Sequence, residues 1–185
     1  MEDLLEGISI FLIGMMGTGK TTVGEQLARQ LNYRFFDTDV LIERVSGKTI
    51  NQIFAEEGEN NFRILETKVI AELSACTRSA IATGGGVVIK QENWSYLSNG
   101  LIVWLDAPPE LLLARLADDN TRPLLKDPDP AQKLKSLLNS RRSLYARADL
   151  HIEIEPHHTP TQIASQIVDR IPSVLKNKST LPEFN

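Results

Sequence analysis

The chain has 185 residues, of which 42% are apolar and 24% charged, with 20 basic against 24 acidic side chains and a formal net charge of −4. Such proportions exclude a collagenous, coiled-coil or disordered chain and suit a single core, while the pI of about 5.4 argues against a nucleic-acid partner. One cysteine, Cys76, rules out an intrachain disulfide; an acidic N-terminus and the lack of a long apolar run leave no sign of a secretory signal or membrane span, so a cytoplasmic protein is expected.

Residues 8–13 (ISIFLI) are a β-rich run ending at a glycine and predict a buried strand. Val23, Leu27 and Leu31 follow at helical spacing on one face. Residues 33–36 predict a second strand. Residues 50–57 and 62–73 predict helices, the second with Phe62, Leu65, Val69 and Leu73 as its stripe. A helical reading carried on to residue 78 puts Cys76 near its end as a small buried side chain. Residues 80–83 predict a third strand closed by Gly84, Gly85 and Gly86, and residues 101–105 (LIVWL) a fourth. Pro108 and Pro109 stand where a helix begins, with Glu110 in its first turn. Residues 118–130 combine charges, prolines and little periodicity and predict an exposed mobile loop. A helix over 131–146 and a fifth strand over 150–154 follow. Thr159, Pro160 and Gln162 make a helix-start pattern, with Ile163, Ile167 and Ile171 as the buried face beyond it. Residues 176–185 predict a mobile tail. Five strands alternating with helices imply an α/β fold, a mostly parallel doubly wound sheet covered on both faces.

Gly14 to Thr21 (GMMGTGKT) fits G-x-x-x-x-G-K-[ST] between a predicted strand and a predicted helix. Backbone N–H groups of such a loop cradle phosphate, the lysine reaches the β- and γ-phosphates, and the threonine hydroxyl suits Mg²⁺. Asp37 and Asp39 (DTD) close the second strand, where an open parallel sheet binds ligands. Residues i and i+2 of a strand share a side, so one carboxylate can serve a metal and the other a substrate hydroxyl; the alternative is that one of them caps the helix over 40–45. Arg63 and Glu66 at i and i+3 read either as a surface ion pair or as an arginine held to grip an anion. Gly84 to Gly86 reads either as a wide turn or as backbone brought close to a ligand. Arg122, in the 118–130 loop, reads as a solvated side chain or as a lid arginine that stabilises a transferring phosphoryl group. Of Arg141 and Arg142, one suits a bidentate grip on an anion and the other solvent. His151, His157 and His158 lack the ligand spacing of a zinc site, and Trp94 and Trp104 read as packing residues.

The order GMMGTGKT, DTD, FRILE, TGGG, TRPLL and RRSLY resembles shikimate kinase, a small family among the nucleoside-monophosphate-kinase-like P-loop proteins. The resemblance spans about residues 8–171 and implies a three-layer P-loop kinase fold with a five-stranded parallel sheet in the order 2-3-1-4-5 and a mobile lid. It implies one kinase domain over 1–175, with substrate-binding helices about 38–76 and a lid about 117–130. The implied activity is transfer of the γ-phosphoryl group of ATP to the 3-hydroxyl of shikimate, with Mg²⁺ and a monomeric enzyme. Lys20, Asp39 and Arg122 are then the catalytic residues. Gly17, Thr18, Gly19, Lys20, Thr21, Thr22, Arg115 and Arg122 bind the nucleotide, with Arg115 against adenine. Asp39, Arg63, Gly84, Gly85, Gly86 and Arg141 bind shikimate, with Glu66 orienting Arg63, and Thr21 and Asp37 hold the metal. Other readings are a kinase of a different small acceptor, such as gluconate or a nucleotide, and a nucleotide-binding relative without catalysis.

Overall fold

Five strands lie side by side in the order β2-β3-β1-β4-β5, every neighbouring pair parallel: β1 (Ile10–Ile13), β2 (Arg34–Asp37), β3 (Ser79–Ala82), β4 (Leu101–Asp106) and β5 (Leu150–Glu153). This is the expected strand order. It is seen in a computed structural model that describes residues 5–117 and 127–179. The three inner strands are the apolar ones. β1 and β3 are buried throughout and β4 is buried up to Leu105, because helices cover both faces. The edge strands carry the polar residues: β2 is half-buried, with Arg34 exposed, and in β5 buried Leu150 and Ile152 alternate with more accessible His151 and Glu153.

The helices are α1 (Lys20–Leu31), α2 (Thr38–Ser46), α3 (Ile50–Glu56), α4 (Gly58–Ser74), α5 (Gln91–Leu97), α6 (Pro109–Leu116), α7 (Pro130–Tyr145) and α8 (Pro160–Ser179). The α1 face expected from Val23 and Leu27 is buried on the sheet. Gly24 belongs to that face because a Cβ there would lie 2.6 Å from the Phe35 ring, so helix and strand meet closely. α8 packs beside α1, and the Gln30 side chain donates to Thr161 O at 3.3 Å.

Several elements differ from the sequence expectation. α4 begins at Gly58, directly after α3, and stops at Ser74. Cys76 therefore lies beyond the helix and is half-buried rather than buried. α5 was not expected, because its seven residues carry no helical period and its anchors are tertiary. Asn93 there accepts from the Thr67 hydroxyl at 2.8 Å and donates to Val87 O at 2.8 Å, and Trp94 Nε1 donates to Val88 O at 3.0 Å. α8 runs to Ser179, past the point where the tail was expected, and passes through Pro172. The strand limits move by one or two residues, with β2 reaching Asp37. Most of the expected lid, residues 118–126 with Arg122, lies outside the described residues.

Candidate active site

The carboxyl ends of β1, β2 and β3 open onto two adjoining cavities. The first, about 180 Å³, follows the phosphate loop and is lined by Gly17, Gly19, Lys20, Thr21 and Thr22 together with Asp37 and Thr83. Gly14 must be glycine: its φ is +145°, and a Cβ would run into Leu105 O. Lys20 is buried and its Nζ donates to the carbonyls of Gly14 and Met15, both at 2.8 Å, so the ammonium is held at the mouth of its own loop. Thr18 points the other way. Its hydroxyl donates to Met15 O at 2.9 Å and ties the loop shut from inside, so its side chain does not line the cavity. Arg115, on α6, donates to Gly17 O at 3.1 Å and braces the loop from outside.

Asp37 and Asp39 are not alternate residues of one strand, as expected. β2 ends at Asp37, and Asp39 lies in the first turn of α2. Asp37 is the cap: its Oδ1 accepts from the N–H groups of Asp39 (2.9 Å) and Val40 (3.3 Å). Its Oδ2 accepts from the Thr21 hydroxyl at 2.7 Å, which joins α1 to β2 at the phosphate cavity. Capping leaves Asp39 turned toward the junction of the two cavities, and it lines both.

The second cavity, about 270 Å³, is bounded by Arg63, Glu59 and Glu66 of α4, by Lys133 and Arg141 of α7, and by the triple glycine. Ile50, Phe54, Phe62 and Leu137 add an apolar wall. Arg63 and Glu66, ambiguous in the sequence, face this cavity. Arg63 Nη1 donates to Glu66 Oε2 at 2.7 Å, while Nε and Nη2 donate to Glu59 Oε1 at 3.3 and 3.2 Å. Burial works against the Arg63 cation, but the two glutamates outweigh it and hold its pKa above the ordinary value. Burial likewise disfavours the Glu66 anion, and here it wins over the pull of Arg63, so the Glu66 pKa is raised. Of the pair, Glu66 is the harder group to keep charged, because its carboxylate has no exposure.

The glycines permit close approach rather than an unusual backbone. A Cβ on Gly84 would sit 2.9 Å from Glu66 Oε1 and 3.0 Å from Asp39 Oδ1, and one on Gly86 would lie 2.6 Å from Arg63 Cζ. Thr38, fully buried, accepts from Gly84 N–H at 3.1 Å and fixes the turn. Arg141 and Arg142 divide as the alternatives required. Arg141 lines the cavity, whereas Arg142 pairs with Asp106 at 3.1 Å and lies over the Trp104 ring. The cavities share Met16, Asp39, Gly84 and Gly85.

Sequence reasoning missed Glu59, Lys133 and Thr38. Lys133, Leu137 and Arg141 recur every fourth residue, a one-face signal that would have found the lysine. The histidines lie elsewhere. His151 stacks on Trp104 at 4.1 Å, and Glu155 brings a ligand atom within 4.8 Å of those of His157 and His158.

The family model for shikimate kinase matches residues 16–172. The chain belongs to the shikimate kinase family. It is 55% identical to a shikimate kinase of Rippkaea orientalis over 100% of this chain and 98% of that protein. It is 57% identical to one of Microcystis aeruginosa over 94% of this chain and 91% of that protein. Among solved structures, a shikimate kinase from Acinetobacter baumannii in complex with shikimate superposes with a TM-score of 0.85 at 40% identity, covering 95% of this chain and 96% of that one. A gluconokinase from Sinorhizobium meliloti superposes with a TM-score of 0.59 at 14% identity, a likeness of fold alone.

Proposed function

We propose that this chain transfers the γ-phosphoryl group of ATP to the 3-hydroxyl of shikimate, giving shikimate 3-phosphate and ADP, a step of chorismate and aromatic amino-acid biosynthesis. One observation carries the reading beyond family membership: a phosphate loop and a cavity with two arginines meet at a shared carboxylate, Asp39. The arginine pair suits the carboxylate of a small acid, and Asp39 suits its hydroxyls.

Gly17, Gly19, Thr22 and the N-terminus of α1 receive the polyphosphate, with Thr18 holding the loop's shape. Lys20 exchanges its two carbonyl partners for phosphate oxygens, and Arg115 supports the adenine side. Arg63 and Arg141 bind the substrate carboxylate, and Gly84, Gly85 and Gly86 form the floor beneath it. Asp39 accepts the proton of the 3-hydroxyl as its oxygen attacks the γ-phosphorus. The bond from that phosphorus to the β–γ bridging oxygen breaks, and ADP leaves with the electron pair. Arg122 meets the charge on the transferring group. The hydroxyl of Thr21 and the carboxylate of Asp37, 2.7 Å apart at the phosphate cavity, are the hard oxygen donors that Mg²⁺ prefers. When bound, Mg²⁺ neutralises charge on the phosphate oxygens. A cytoplasmic monomer with no nucleic-acid or membrane partner completes the proposal; no helix among the described residues is long and apolar enough to cross a membrane.

The test is ADP release from ATP and Mg²⁺ with shikimate, quinate, gluconate and AMP offered separately. Stimulation by shikimate well above the other three is expected. No stimulation by shikimate overturns the proposal.

A further inference from the structure

The triple-glycine turn is held by a side chain that neither cavity exposes. Tyr145, the last residue of α7, is fully buried, and its hydroxyl donates to Gly85 O at 2.5 Å. The same oxygen lies 3.4 Å from Met15 Sδ of the phosphate loop, and Arg141, four residues earlier on α7, brings its Nη1 to 4.0 Å from that sulfur. A phenol has one proton to give. The short bond to Gly85 O uses it, so the sulfur is a contact only. The ring is fixed as well, stacked on Trp104 with centroids 5.9 Å apart and an interplanar angle of 22°. Burial pushes the Tyr145 pKa upward against the pull of Arg141, so the hydroxyl keeps its proton at neutral pH.

The Gly85–Gly86 peptide is trans, and a planar trans peptide points its C=O and N–H in opposite directions. Holding Gly85 O toward Tyr145 therefore turns Gly86 N–H away from Tyr145. Gly85, Gly86, Arg63 and Arg141 all line the second cavity, and Tyr145 does not.

We propose that Tyr145 is a positioning residue for the acceptor substrate: its hydroxyl sets the Gly85–Gly86 peptide, so that Gly86 N–H is presented beside Arg141 to the substrate carboxylate. The proposal rests on shikimate as the acceptor. It also explains why the tyrosine stands one helical turn after Arg141: one face of α7 supplies both the guanidinium of the cavity and the hydroxyl that sets the glycine turn beside it.

Tyr145→Phe keeps the ring, its burial and its stacking and removes a single oxygen. With shikimate and ATP varied separately, the shikimate KM is expected to rise about tenfold, with kcat changed less than about threefold and the ATP KM unchanged. Ile167→Val, which trims the buried face of α8, is the control for lost stability and should move neither KM. An unchanged shikimate KM in Tyr145→Phe, or an equal rise in both KM values, overturns the role. A second measurement needs no variant. In ¹⁵N-labelled wild-type protein the Gly86 amide resonance should move when shikimate is added. Shifts at Gly84 and around Arg63 with Gly86 unmoved overturn the proposal; no shift at any residue overturns shikimate as the acceptor, and the Tyr145 role with it.

Discussion

Glu66 accepts a 2.7 Å hydrogen bond from Arg63 through Oε2, while its buried Oε1 has no hydrogen-bond partner among the described residues. A carboxylate satisfied on one side only is an uneasy anion, which is why burial lifts its pKa above 4.5 despite the neighbouring guanidinium. The sign of the pH effect follows. A carboxyl with a raised folded pKa holds its proton more tightly when folded, so its contribution to stability is complete below 4.5 and is lost as pH rises through the folded value. Glu66→Gln removes that titration. The melting temperature of the variant minus that of the wild type should become more positive between about pH 4 and about pH 8. Thermal melts across that range check it, and a difference that falls with pH contradicts it.

Arg141 and Arg142 are adjacent in the chain and face different partners. Arg141→Ala should raise the shikimate KM by about 10-fold to 100-fold while the ATP KM changes little. Arg142→Ala removes an exposed partner of Asp106 and should leave both constants within about twofold. Steady-state kinetics on the two variants, side by side, decide whether the division seen in the structure is the functional one.

Asp39 stands where the cavities join. Asp39→Asn keeps its size and removes its basicity, so kcat should fall by about 10²-fold to 10⁴-fold. ATP affinity, measured by titration without acceptor, should stay within about threefold, since the phosphate cradle is built from Gly14 to Thr21. Near-normal turnover would remove Asp39 from proton transfer.

Thr21 and Asp37 share one hydrogen bond at the phosphate cavity. Chelating Mg²⁺ should abolish turnover, and adding it back should restore the rate. Thr21→Val, which keeps the shape and loses the hydroxyl, should raise the Mg²⁺ concentration for half-maximal rate by about tenfold or more. A variant with an unchanged Mg²⁺ requirement would place the metal elsewhere.

The phosphate loop was legible because its chemistry is contiguous: the residues that make the turn, the lysine and the hydroxyl all lie within Gly14 to Thr21. The strand order followed from a family resemblance, and the inner strands from their unbroken apolar runs. Asp37 and Asp39 were recognised as a pair, but the backbone that carries them was misread, because the two-residue period of a strand was carried past the point where β2 gives way to α2. At Gly84 to Gly86 the sequence pointed to close approach without saying to what; Asp39, Arg63 and Glu66 reach the turn from other elements. α5 was invisible for the same kind of reason. Its anchor, the bond from Thr67 to Asn93, spans 26 positions, and no local period records it.

The four residues common to both cavities, Met16, Asp39, Gly84 and Gly85, make a very thin partition. A single compound carrying a ring carboxylate at one end and a polyphosphate at the other would need only a short bridge past Asp39. Such a tethered molecule loses its translational freedom once instead of twice, so its affinity should approach the product of the two separate ones. Selectivity against other phosphate-loop enzymes would come from the arginine-lined half, the part of the protein that an ATP mimic alone does not touch.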